Sequence, residues 1–301
     1  MILAIDIGGT SSKFGLVDAA AREISAYEKF DTREAVGAHG LESFLKERIG
    51  HFLEKHPDIR GIGLGFPGLL SKDRRTILEL PNIPGADQLP ILDRLSEQFP
   101  GVPIKIENDA NCATLGEHRM GAYRDVNDFL LVTLGTGVGS GLIIDGQLFT
   151  GARGNGLELG HILVGREKTL EEQIGLQGFL SYAEARLSNY SQTTRLRSDR
   201  LNGKAIYEAA VQGDPLAASL FDYLGTLLGE GLVAAVRLLD VTCILLGGGL
   251  SGAFEFIYPG LKKVLESRLP GYYIEDLRIK KASLGNDAGL LGAAGLLLPT
   301  S

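Results

Sequence analysis

Apolar positions along the chain follow two periods, and the switches between them outline the elements. Residues 2–18, ILAIDIGGTSSKFGLVD, are an apolar run that breaks at Gly8-Gly9-Thr10 and resumes, the pattern of strand, tight turn and strand. Leu41, Phe44, Leu45, Ile49, Phe52 and Leu53 recur at helical spacing and predict an amphipathic helix ending before Pro57. Residues 61–68 read as a strand closing in a Pro-Gly turn, and 89–99 as a helix. Val102, Ile104 and Ile106 alternate with polar partners as a short strand, and a helix with small residues follows over 110–120. FLLVTLGTGVGSGLIIDG, 129–146, repeats the strand–turn–strand pattern around Gly135-Thr136-Gly137, with a hairpin at Asp145-Gly146. Asp214 caps a long helix with Pro215 at its first position, running to Leu239. A buried strand over 241–246 ends at Gly247-Gly248-Gly249, a helix covers 253–268, and Asn286-Asp287 precede a last apolar helix over 288–298.

The glycine turns carry candidate chemistry. Each aims successive backbone N–H groups at one point, which suits a phosphate. Asp6, just before the first turn, is placed to hold Mg²⁺ through water, since Mg²⁺ prefers carboxylate oxygens and keeps much of its hydration. Lys13 would add positive charge nearby; an ordinary hairpin is the alternative. The second turn, at a comparable place in a second unit, argues for two related domains facing each other across a nucleotide cleft. The triplet Gly247 to Gly249 would let a flat base or ribose lie against bare backbone. No GxxxxGK[ST] loop occurs, and the Gly135 turn opens a strand rather than a helix, which excludes a dinucleotide fingerprint. Glu107, Asn108 and Asp109 arrive together at a strand's end, a common position for a catalytic base, or simply a helix cap. Glu158 and His161, three apart, are candidates for a metal or for polar hydroxyls, although a lone histidine is more often structural. Asn82, in the rigid loop 81–85, is either a ligand contact or a turn residue.

Composition narrows the class. With 301 residues, 44% of them hydrophobic, the chain can bury two cores. The expected division is 1–118 and 119–301, with the helix over 288–298 packing back on the N-terminal domain. A net charge of −7 argues against nucleic acid as the main partner. Cys112 and Cys243 stand far apart in apolar surroundings, as reduced thiols of a cytoplasmic protein do. The apolar stretch 231–250 contains Arg237, Asp240 and three glycines, so no membrane span is expected there.

In order, DIGGTSSK, IENDAN, LGTGVGSG, LELGH, LLGGGLS and LGNDAGLLGAA resemble the motifs of ROK-family sugar kinases, within the sugar kinase, Hsc70 and actin superfamily. The resemblance spans nearly the whole chain. It implies an α/β protein of two ribonuclease H-like domains facing across a nucleotide and sugar cleft, using ATP and Mg²⁺. By it, Asp6, Gly8, Gly9, Thr10 and Lys13 match the first phosphate segment. Gly135, Thr136 and Gly137 match the second, and Gly247, Gly248 and Gly249 the adenosine segment. Asp109 matches the catalytic base. Asn108, Glu158 and His161 match sugar contacts, with Gly68 and Asn82 beside them. Glu171 is the best match to a later sugar-binding glutamate, and Glu172 competes with it. Many members carry a cysteine-rich zinc motif after the Gly-His pair; GREKTLEEQIG here has no cysteine, so no zinc is expected. The implied activity is a glucokinase-type transfer to a hexose 6-hydroxyl, in a homodimer without nucleic-acid or membrane partners. N-acetylhexosamine, mannose or fructose are rival substrates, polyphosphate a rival donor, and a non-catalytic sugar sensor a rival class. The first strand opens at Ile2, so a DNA-binding helix-turn-helix is not expected.

Overall fold

Two sheets with the same strand order organise the chain in the computed structural model, which describes residues 1–37, 39–81, 83 and 85–299. The first is built from β1 (Ile2–Ile7), β2 (Ser11–Asp18), β3 (Glu23–Asp31), β4 (Ile62–Phe66) and β5 (Ile104–Asn108). Helices α1 (Gly40–Lys55) and α2 (Ile91–Gln98) lie between these strands, and α3 (Asp109–Arg119) follows β5 without a break. The order is β3-β2-β1-β4-β5: an antiparallel meander joined to parallel strands. The buried faces of β1, β4 and α1 form the core, where Phe14 meets Phe30 and Phe44 edge-on at 5.6 Å each.

The second sheet consists of β6 (Phe129–Leu134), β7 (Val138–Ile144), β8 (Gln147–Phe149), β9 (Cys243–Gly247) and β10 (Arg278–Lys281). Its order, β8-β7-β6-β9-β10, repeats the first, again with an antiparallel hairpin joined to parallel strands. This is the ribonuclease H-like arrangement, present twice. Between the strands run α4 (Leu170–Ile174), α5 (Leu176–Ser188), α6 (Pro215–Leu239) and α7 (Phe254–Arg268); α8 (Ala288–Gly295) ends the chain. Among the described residues, α6 meets the length and apolarity of a membrane span, yet 56% of its most apolar window is buried inside the protein. It starts as expected, with Asp214 accepting from Ala217 N at 3.0 Å.

By contacts the chain divides into two units, Met1–Asn127 with Gly141–Leu157 and Asn286–Ser301, and Asp128–Ser140 with Glu158–Gly285. Beside the expected division after residue 118, with the last helix returning to the N-terminal domain, these units also place 119–127 and 141–157 with the first. Within the first unit α8 lies directly on α3 and β4. A Cβ on Gly292 would overlap Cys112 O, one on Gly116 would overlap Ala288 O, and one on Gly63 would overlap Ala293 O. Gly141 likewise leaves room for the Thr114 hydroxyl of α3. Only glycine permits such approach of backbone to backbone. The edge strands β3 and β10 were not legible as strands, since EISAYEKFD and RIKK carry exposed charge along them.

Candidate active site

In the first unit, the register that places Asp6 opposite Lys13 across the β1–β2 hairpin also pairs them, Lys13 Nζ standing 3.0 Å from Asp6 Oδ2. Lys13 donates further to Asn286 O at 2.9 Å, at the entry to α8. Gly289 on α8 leaves room for the Asp6 carboxylate, a Cβ there lying 3.0 Å from its Cγ. Gly8 N donates to Ser11 O at 3.1 Å, closing the first turn. Thr32, fully buried, braces that turn: its hydroxyl donates to Gly8 O at 2.7 Å and its N–H to Thr10 O at 3.0 Å. Ser12 completes the brace, its hydroxyl 2.9 Å from that of Thr32. Neither Thr32 nor Ser12 carried a local signal; the contact joins residues twenty positions apart.

The strand-end stretch divides its tasks between neighbours. Asn108 is the N-cap of α3, its side-chain oxygen accepting from Ala110 N at 2.9 Å and Asn111 N at 3.2 Å. Asp109 is the first residue of the helix, half-buried, and its Oδ1 also accepts from Ala110 N at 2.8 Å. Asn108 Nδ2 donates to Gly68 O at 3.3 Å, and Gly68 itself has a φ of +110°, which only glycine adopts without strain. Beneath them Glu107 is buried and fully engaged. It accepts from Arg74 Nε at 2.9 Å, from Asn111 Nδ2 at 3.1 Å and from Asn108 N at 2.8 Å. Arg74 Nη2 contacts its other oxygen at 2.9 Å and donates to Gly154 O at 2.6 Å. Asn155 pairs with both backbone groups of Leu70, at 3.0 and 2.7 Å. The 70–74 loop and the glycine loop around 154 are therefore tied to Glu107, two residues before the candidate base. Cys112, buried one turn into α3, has its thiol pushed well up by burial and then by the charges of Glu107, Asp6 and Asp109, so it stays protonated. Asn82 lies outside the described residues.

In the second unit, the turn at Gly135, Thr136 and Gly137 is closed by Gly135 N donating to Gly137 O at 3.0 Å. Glu171, in the first turn of α4, accepts from Val138 N at 2.8 Å. Glu172 is engaged otherwise: it forms a capping box with Thr169, which donates its N–H to Glu172 Oε2 at 2.7 Å while Glu172 N donates to Thr169 Oγ1 at 3.2 Å. The Thr-x-x-Glu spacing was readable in the sequence as that cap. Glu158 precedes and His161 ends a short 3₁₀ turn, His161 Nε2 standing 3.8 Å from Glu158 Oε2. Burial holds the Glu158 carboxyl above the usual carboxylate range, opposed by His161 and reinforced by the charge of Glu171. Ser140 fixes this turn, its oxygen accepting from Leu159 N at 3.2 Å. β9 ends at Gly247; Gly248 takes a φ of +79° and fits closely against Leu134, while Gly249 faces open space. Among the described residues no group of three or more His, Cys, Asp and Glu could hold a metal ion.

The ROK family profile matches residues 2–299. A glucokinase from Halalkalibacterium halodurans is 30% identical over 312 residues, 98% of this chain and 94% of that protein. The structure of a candidate sugar kinase from Cytophaga hutchinsonii superposes with a TM-score of 0.93 at 46% identity, covering 99% of this chain and 100% of that one. The ROK family glucokinase from Streptomyces griseus, in complex with glucose and AMPPNP, gives a TM-score of 0.84 at 32% identity, covering 98% of each chain. Since the family profile spans nearly the whole chain and the doubled ribonuclease H-like sheet accords with it, the chain belongs to the ROK family.

Proposed function

We propose that this chain transfers the γ-phosphoryl group of ATP to the 6-hydroxyl of a hexose, glucose being the first to test. The coarser activity follows from the family and its glucokinase relatives: the chain is an ATP-dependent sugar kinase. A sugar hydroxyl is a poor nucleophile and must lose its proton as it attacks phosphorus. Asp109 is our candidate base. The observation that supports it is the division of labour at the start of α3, where Asn108 is the N-cap and the Asp109 carboxylate shares only the Ala110 N–H with it. The buried Glu107–Arg74 pair holds the backbone on which Asp109 stands.

The backbone N–H groups of both turns would bind the phosphates, and Gly247 to Gly249 the adenosine. Mg²⁺ fits Asp6 in the mode usual for nucleotide-bound Mg²⁺, in which one carboxylate joins phosphate oxygens and water. When bound, it neutralises charge developing on the phosphate oxygens. Asp6 would hold the ion beside Lys13, whose Nζ stands 3.0 Å from Asp6 Oδ2. Gly68, Asn82, Asn108, Glu158, His161 and Glu171 are the proposed sugar contacts.

A coupled assay of ATP consumption against a panel of hexoses and N-acetylhexosamines, with the product identified by NMR, tests this reading. Glucose 6-phosphate with high kcat/KM supports it. A clear preference for an N-acetylhexosamine replaces the substrate, and preference for polyphosphate replaces the donor. Absence of turnover on the whole panel overturns the kinase reading.

A further inference from the structure

Glu171 enters the reading above as a sugar contact, but its geometry gives it a second duty. Its Oε2 accepts from the N–H of Val138, the residue after the second glycine turn. That N–H and the carbonyl of Gly137 belong to one planar trans peptide and point in opposite directions. Holding the N–H on Glu171 therefore aims the Gly137 carbonyl at Gly135 N, the 3.0 Å bond that closes the turn. The approach is built in. A Cβ on Gly137 would overlap Glu171 Oε2, so only glycine lets the carboxylate lie this close. A Cβ on Gly175, at the α4–α5 junction, would lie 2.7 Å from Glu171 O and 3.1 Å from Thr136 O. From the same junction Leu176 N donates to Gly135 O at 3.0 Å and Thr136 O at 3.2 Å. The turn's carbonyls are thus held from behind by the start of α5, and its last peptide by Glu171.

We infer that Glu171 is a positioning residue for the second phosphate turn, and that it couples sugar occupancy to nucleotide affinity. The inference rests on the sugar-kinase reading. One carboxylate oxygen sets the turn, and Oε1 is the acceptor left to a sugar hydroxyl. A hydroxyl donating to Oε1 fixes the rotamer that keeps Oε2 on Val138, so either ligand pre-orders the site for the other. Such coupling is reciprocal by thermodynamic necessity. Glu158, whose carboxyl is raised by burial and further by the Glu171 charge, is a second polar group close to it.

The test is calorimetric binding of AMPPNP, with and without glucose, to the wild type, Glu171→Ala, Glu171→Gln and Glu172→Ala. Glucose should tighten AMPPNP about 5-fold or more in the wild type. Glu171→Ala should weaken AMPPNP alone by about 5-fold and abolish the glucose effect. Glu171→Gln keeps an acceptor for Val138 N–H and should restore binding of AMPPNP alone. Glu172→Ala removes only the capping box and should leave AMPPNP affinity within about 2-fold. Hydrogen exchange at the Val138 amide should accelerate in Glu171→Ala and stay slow in Glu171→Gln. Unchanged AMPPNP affinity in Glu171→Ala, or an equal loss in Glu172→Ala, overturns the positioning role. No effect of glucose on the wild type overturns the coupling. Wild-type protein that consumes no ATP with any hexose fails the kinase reading instead, a result separate from these.

Discussion

The two sheets share a strand order and a turn at the same place in it, yet the polar side chains around the two turns are held in opposite ways. In the first, Glu107 and Arg74 have side chains only 8% and 16% exposed and are tied to the backbone on three sides. The first turn is braced by neutral hydroxyls from Thr32 and Ser12, both buried. In the second, Glu158 and His161 are 46% and 65% exposed, and the turn is braced by a charged carboxylate on a five-residue helix. Repeating a fold therefore does not repeat its chemistry. A group that must move a proton is best fixed by a satisfied buried network, because its geometry cannot drift. Groups that must read a sugar's hydroxyls can stay on open, adjustable turns.

The largest effect that would break this comparison is expected at Asp109. Asp109→Asn should fold normally, since Asn108 retains the cap, while kcat falls about 10²–10⁴-fold. Near-wild-type turnover in a folded Asn variant removes Asp109 as the base. Arg74→Met comes next. It leaves the Glu107 carboxylate buried without its cation, and chemical denaturation should show a loss of about 3–5 kcal/mol. A loss below about 1 kcal/mol would mean that the first unit is no more rigidly held than the second.

His161→Ala sharpens the other side. An exposed contact that meets only the sugar should raise the glucose KM about 10-fold, with the ATP KM and the melting temperature unchanged. Equal rises in both KM values would contradict that separation. The smallest effect concerns pH. Glu158 is held above its ordinary carboxylate range by burial, so its contribution to stability is present below the unfolded pKa and lost as pH rises through the folded one. Glu158→Gln should therefore melt above the wild type at pH 7 and match it near pH 4. A variant that melts below the wild type at pH 7 reverses the sign and refutes the burial cause.

Much of the fold was legible because it is local. The alternation around Ile104, the 3.6-residue period of Leu41 to Leu53 and the Asp214-Pro215 start of α6 each encode a hydrogen-bond pattern and a buried face within a few residues. The glycine turns stood out because a strand broken by glycine and resumed has few other readings. Whether Asn108 or Asp109 caps α3 was not legible, since both residue types cap well and only backbone geometry assigns the role. Nor was the pairing of Arg74 with Glu107, 33 residues apart, or of Glu171 with Val138. The edge strands β3 and β10 stayed hidden because most of their side chains are exposed, many of them charged, and none is fully buried. The sequence by itself determined the family and most of the buried elements in order; the tertiary structure decided the edge strands and which long-range partners fix each turn. Periodicity records what a residue does with its neighbours in the chain, and a brace depends on which distant backbone the topology brings within 3 Å.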